Sequence, residues 1–112
     1  MFKAVVIFGA TAAMGLVAAP GADARSRTVC GWYAIASCVS SEGDARAFAN
    51  GGWGAVIDTD DYGGLRPGLF CVVSGPQSRS SAERDRRSAI NQGVAPDVYI
   101  KRACTAAENV GD

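Results

Sequence analysis

The stretch Leu65-Arg66-Pro67-Gly68-Leu69-Phe70-Cys71-Val72-Val73-Ser74-Gly75-Pro76 decides how this chain is read. Leu69 to Val73 is a short apolar run rich in β-branched and aromatic side chains. Pro67-Gly68 and Gly75-Pro76 bound it, which is the pattern of an interior strand between two turns. Helix-start chemistry follows at once: Ser80-Ser81-Ala82-Glu83 fits a capping box, in which the Ser80 hydroxyl accepts from the Glu83 backbone N–H and the Glu83 side chain reaches back. Ala82, Arg86, Ala89 and Ile90 give this helix a narrow apolar stripe, Arg84, Asp85 and Arg87 its wet side, and Gly93 its stop. Asp97-Val98-Tyr99-Ile100-Lys101 is then a strand, with Val98 and Ile100 inward.

A looser copy of the same unit lies upstream. In Gly31 to Ser37, Tyr33 and Ile35 alternate with Ala34 and Ala36, as in a half-buried strand with its larger side chains on one face. Ser40-Ser41-Glu42-Gly43-Asp44 opens a helix carrying Ala45, Phe48 and Ala49, which Asn50-Gly51-Gly52 ends. Gly54-Ala55-Val56-Ile57 is a short strand, and Asp58 to Gly64 is a polar loop leading back to the opening stretch. Ala106 to Asp112 has little to bury and reads as a frayed tail.

The N-terminus carries Lys3, an apolar run from Ala4 to Ala19 and Ala22-Asp23-Ala24, a secretory signal with cleavage expected before Arg25. Residues 1–24 are thus a signal peptide and residues 25–105 one small domain. Its four cysteines, Cys30, Cys38, Cys71 and Cys104, form an even set behind a secretory signal, so disulfides in an oxidising compartment are expected. A domain this small gains much from such staples. With no His and no C-x-x-C pair, no zinc site or other metal site is expected, and no cofactor. The apolar run falls short of the roughly 20 residues that span a bilayer, so no stable membrane insertion is expected after cleavage.

Lys and Arg number 11 and Asp and Glu number 11, so the chain is formally neutral and no nucleic acid or other polyanion is expected as a partner. Catalysis is not expected either. The usual base is missing, and oxidised cysteines offer no thiolate. Asp58, Asp60 and Asp61 lack the twelve-residue calcium loop with its closing Glu, and read as a solvated turn.

The order strand, helix, strand, strand, helix, strand fits an α+β, ferredoxin-like split βαββαβ arrangement: a four-stranded antiparallel sheet with two helices on one face. Right-handed crossovers would set the first and third strands side by side at the centre, parallel, with the fourth beside the first. Four cysteines allow three pairings. The topology brings Cys30, before the first strand, near Cys104, after the fourth; Cys38 and Cys71 then pair by elimination, although aligning the two halves sets Cys38 opposite Gly75.

These residues resemble the sporulation-related repeat, or SPOR-like domain, of bacterial envelope proteins, over about Gly31 to Ala103. In the first half Trp32-Tyr33-Ala34-Ile35-Ala36-Ser37-Cys38 and Ser40-Ser41 are similar to the repeat's aromatic-start strand and capped helix. In the second, Leu65 to Pro76, Ser80 to Glu83 and Val98-Tyr99-Ile100-Lys101 are similar to its strand, Gly-Pro turn, capped helix and last strand. The resemblance implies a non-catalytic, secreted or periplasmic module that binds peptidoglycan glycan strands through the sheet face away from the helices. That face would be drawn from Trp32, Ala34, Ala36, Leu69, Cys71, Val73, Tyr99 and Lys101, an apolar patch rimmed by Trp32, Tyr99 and Lys101. Two readings compete with it: a small protein-interaction or self-association domain using the same face or a sheet edge, with an envelope protein as partner, and a disulfide-stapled inhibitor.

Overall fold

A computed structural model describes residues 27–110; the expected signal peptide lies outside the described residues. Five strands and two helices follow in order: β1 (Thr28–Val39), α1 (Glu42–Ala49), β2 (Ala55–Asp58), β3 (Tyr62–Gly63), β4 (Phe70–Gln77), α2 (Arg79–Asn91) and β5 (Tyr99–Ala106). The sheet is antiparallel throughout, in the order β2-β4-β1-β5-β3.

The α+β class and the two disulfides of the sequence reading are present, but the fold is not the four-stranded ferredoxin-like sheet. A fifth strand, β3, adds to the free edge of β5, and the sheet curls into a half-barrel. Its curl has a local cause: the β1 ladder with β4 slips twice, between Trp32 and Ala34 and between Ile35 and Ser37, and such irregularities bend and twist a strand. β1 and β4 also run antiparallel, where parallel neighbours were expected. The loop between β2 and β4 reverses the chain, so β4 runs against β2. A helix crossover keeps β1 in the direction of β2, and β4 must therefore oppose β1.

That reversal brings both cysteine pairs into register. Cys30 lies directly opposite Cys104 and Cys38 directly opposite Cys71, and both disulfides are formed, each with a Cα separation of 4.0 Å. The mismatch of Cys38 with Gly75 belonged to the parallel alignment alone.

Each face of the sheet carries its own core. On one side Ala34, Ala36, Ala89 and Val98 are buried together, with Phe48, Trp53, Ile90 and Val94 packed around them, so both helices share this face. On the other, Tyr33, Ile35, Cys71, Val73 and Ala103 form a second cluster that Ile57, Tyr62, Leu65 and Leu69 close over. The expected facing of β1 is therefore inverted: its alanines lie beneath the helices, and Tyr33 and Ile35 point away from them. Small side chains let a helix approach the strand backbone closely, whereas the curled side has volume to fill. Gly75 serves this side, since at φ 144 a Cβ there would stand 2.6 Å from the Trp32 carbonyl oxygen and 2.8 Å from Cδ2 of the Tyr33 ring.

The acidic turn is structural. Thr59 Oγ1 donates to the Leu69 carbonyl and accepts from the Leu69 N–H, Asp58 caps Asp60, and Asp60 accepts from the Gly68 N–H at 2.8 Å. Thr105 Oγ1 donates to the Asp61 carbonyl. These bonds hold segment 59–69 over the cluster of Tyr33 and Ile35.

The helix α2 begins two residues earlier than the capping box predicts. Ser78 is its N-cap, accepting from the Ser81 N–H, while Glu83 pairs instead with Arg86. Asp85, read as solvent-facing, accepts from Ser74 and Gln77 and ties α2 to β4. β5 runs on to Ala106, and a 3-10 turn at Ala107–Asn109 follows where fraying was expected, tethered by Ala107 N–H to the Arg27 carbonyl at 2.8 Å.

Candidate functional site

The residues expected on one exposed face are divided between two sides of the sheet. Trp32 is half-buried, with the Arg79 guanidinium 5.0 Å above its ring at the start of α2. Ala34 and Ala36 are buried beneath the helices, and Val73 is 3% exposed in the opposite core. None of these three presents a surface to a ligand. Tyr99 and Lys101 are exposed on β5 and stand opposite Ile35 and Tyr33 in the ladder, on the side away from the helices by strand alternation.

On that side the curl leaves a shallow pocket of about 220 Å³ lined by Leu65, Arg66, Leu69, Thr59, Tyr99 and the Cys38–Cys71 disulfide. Leu69, Cys71 and Tyr99 of the expected face meet here; Thr59, Leu65, Arg66 and Cys38 were not expected. Arg66 had a signal in the sequence, since it opens the Pro67-Gly68 turn. Only the fold-back of 59–69 shows that the turn brings it to Tyr99.

Tyr99 stands half exposed at the rim, with its hydroxyl 4.0 Å from Cys38 Sγ. Among the described residues Arg66 makes no ion pair, so its guanidinium is available at the rim. Thr59 is spent on Leu69, and all four cysteines are oxidised. The pocket therefore offers an aromatic ring, an apolar floor and a cation. Among the described residues no three His, Cys, Asp or Glu side chains gather as a metal site would require.

A second, open groove of about 380 Å³ lies on the helix side, between the C-terminal ends of α1 and α2, lined by Phe48, Trp53, Gln92, Val94 and three glycines. No helix among the described residues is long and apolar enough to cross a membrane. No known protein family, characterised protein or solved structure matches the chain in sequence or structure comparison.

Proposed function

We propose that this chain is a non-catalytic, secreted binding module of the cell envelope that holds a glycan strand of peptidoglycan against the pocket at Tyr99. The observation that carries the reading is Tyr99, a large ring left 50% exposed on the helix-free side beside Arg66, which makes no ion pair among the described residues. A sugar ring stacks its apolar face on an aromatic side chain, and its hydroxyl and acetamido oxygens accept from guanidinium and ammonium donors. Arg66 and Lys101 supply such donors. Both disulfides favour an oxidising compartment, in keeping with secretion.

Co-sedimentation with purified peptidoglycan tests this, with amidase-stripped material expected to retain the most protein. Tyr99→Ala and Arg66→Ala should lower retention severalfold, whereas Arg84→Ala, on exposed α2 surface, should not. Pelleting no better than a neutral control protein would remove the reading. The apolar lining from Leu65 and Leu69 also suits a partner's side chain. A concentration-dependent dimer by light scattering, abolished by Tyr99→Ala, would establish that second reading. Addition at a sheet edge is disfavoured, because the edge strands β2 and β3 are four and two residues long.

A further inference from the structure

Arg66 reaches the rim of the Tyr99 pocket on the short segment 64–68, which is fastened at both ends but barely in its middle. Upstream, Tyr62 and Gly63 form β3 and pair with Thr105 and Cys104. Downstream, Leu69 is locked to Thr59: the Thr59 N–H donates to the Leu69 carbonyl at 3.0 Å, and the Thr59 hydroxyl bonds both the carbonyl and the N–H of Leu69. Between these anchors, among the described residues, segment 64–68 makes a single hydrogen bond outside the strand ladders, from the Gly68 N–H to Asp60 Oδ1 at 2.8 Å. Asp60 is itself held, because its own N–H donates to Asp58 Oδ1 at 3.0 Å.

Little else fixes the turn. Gly68 sits at φ 83, and a Cβ there would meet nothing within 4 Å, so packing does not confine it. The N–H···carboxylate bond is of the charge-assisted kind, stronger than a bond between neutral groups. It acts one residue from Pro67 and two from Arg66, so it governs where the guanidinium and the Leu65 side chain stand against Tyr99. A donor ordered in advance binds more tightly than a mobile one, because its freedom is lost on folding rather than on binding.

We infer that Asp60 is a positioning residue for this pocket: by holding Gly68 it sets Arg66 and Leu65 against Tyr99 and thereby raises affinity for the ligand. This role rests on the Tyr99 pocket being the binding site proposed above. Asp61 separates it from a plain effect of charge, since Asp61 is also an exposed carboxylate but makes no side-chain hydrogen bond among the described residues.

The first part of the test needs no ligand. In the disulfide-bonded wild type, the Gly68 amide should exchange with solvent more slowly than those of Leu65 and Arg66, and NMR should place the Arg66 side chain against the Tyr99 ring. Asp60→Ala should remove both the protection and the contact. Asp60→Asn, which keeps an acceptor oxygen, should restore them, and Asp61→Ala should leave them as in the wild type. In peptidoglycan co-sedimentation, Asp60→Ala should lower retention severalfold, as Arg66→Ala does, and Asp60→Asn should recover most of it. Asp60→Ala combined with Arg66→Ala should bind little more weakly than Arg66→Ala alone, because Asp60 acts through the turn that carries Arg66. Fast exchange at Gly68 in the wild type, an Arg66–Tyr99 contact that survives Asp60→Ala, full additivity of the two substitutions, or equal losses in Asp60→Ala and Asp61→Ala would each overturn the role. If the wild type does not pellet, the glycan reading falls, and the exchange and contact measurements still decide whether Asp60 sets the pocket.

Discussion

At the scale of single residues, two hydroxyl-bearing side chains buried in the fold behave in opposite ways. Tyr33 is 1% exposed, its ring meets Tyr62 edge to face with centroids 5.8 Å apart, and its hydroxyl has no hydrogen-bond partner among the described residues. Burial first, and the neighbouring Tyr62 phenol second, push its pKa from 10.0 up to about 12. Below pH 10 both folded and unfolded chains keep the proton, so no stability is lost there. From pH 10 to 12 the unfolded chain ionises first, and stability falls. Tyr33→Phe should therefore leave the Tm at pH 8 nearly unchanged, because it removes an unpartnered hydroxyl, and should reduce the drop in Tm between pH 10 and 12. An equal drop in both proteins by circular dichroism would refute this. Thr59 is the converse case, a buried hydroxyl with both of its bonds made to Leu69. Thr59→Val keeps the shape and strands a buried N–H, so urea unfolding should show a loss of about 1–3 kcal/mol. Both roles escaped the sequence, because neither residue's partner is near it in the chain's local pattern.

At the scale of elements, strand and helix positions were legible wherever apolar runs are punctuated by glycine, proline or serine, as at Phe70–Gln77 and Arg79–Asn91. Facing was not. An alternating pattern assigns faces only when one face is wet, and in β1 Tyr33, Ala34, Ile35 and Ala36 are all buried. Which set meets the helices is decided by how near α2 comes. Ala89, fully buried on α2, packs in the same cluster as Ala34 and Ala36. Ala89→Leu should thus force the helix off the sheet at a cost of about 1–3 kcal/mol, seen as a lower urea midpoint with an unchanged slope. A midpoint equal to wild type would show that the interface has room. Ala34 and Ala36, expected on an exposed face of β1, are buried for this same reason, whereas Tyr99 on β5 remains at the surface.

At the scale of the whole molecule, the two disulfides fasten β1 to each of its neighbours, Cys30–Cys104 across a separation of 74 residues and Cys38–Cys71 across 33. By chain entropy each contributes roughly 4 kcal/mol, a large share of the 5–15 kcal/mol that holds a small domain folded. Replacing Cys30 and Cys104 by serine should lower the unfolding free energy by that order, and reducing both bonds should abolish the cooperative transition at 37 °C. Circular dichroism with and without dithiothreitol reads both outcomes; an unchanged midpoint in the reduced protein would contradict them.

The sequence by itself determined the α+β class and the strand and helix order of the two halves, because local periodicity and turn residues act over a few positions; it left three pairings of the four cysteines open, and the antiparallel registers of β1 selected one. Tertiary structure decided the antiparallel setting of β1 against β4, the fifth strand, the curl and the folding of 59–69 over Tyr33. Each of these depends on contacts between segments far apart in the chain, where close packing and hydrogen bonds such as those of Thr59 and Thr105 choose among arrangements that the local pattern leaves equally open.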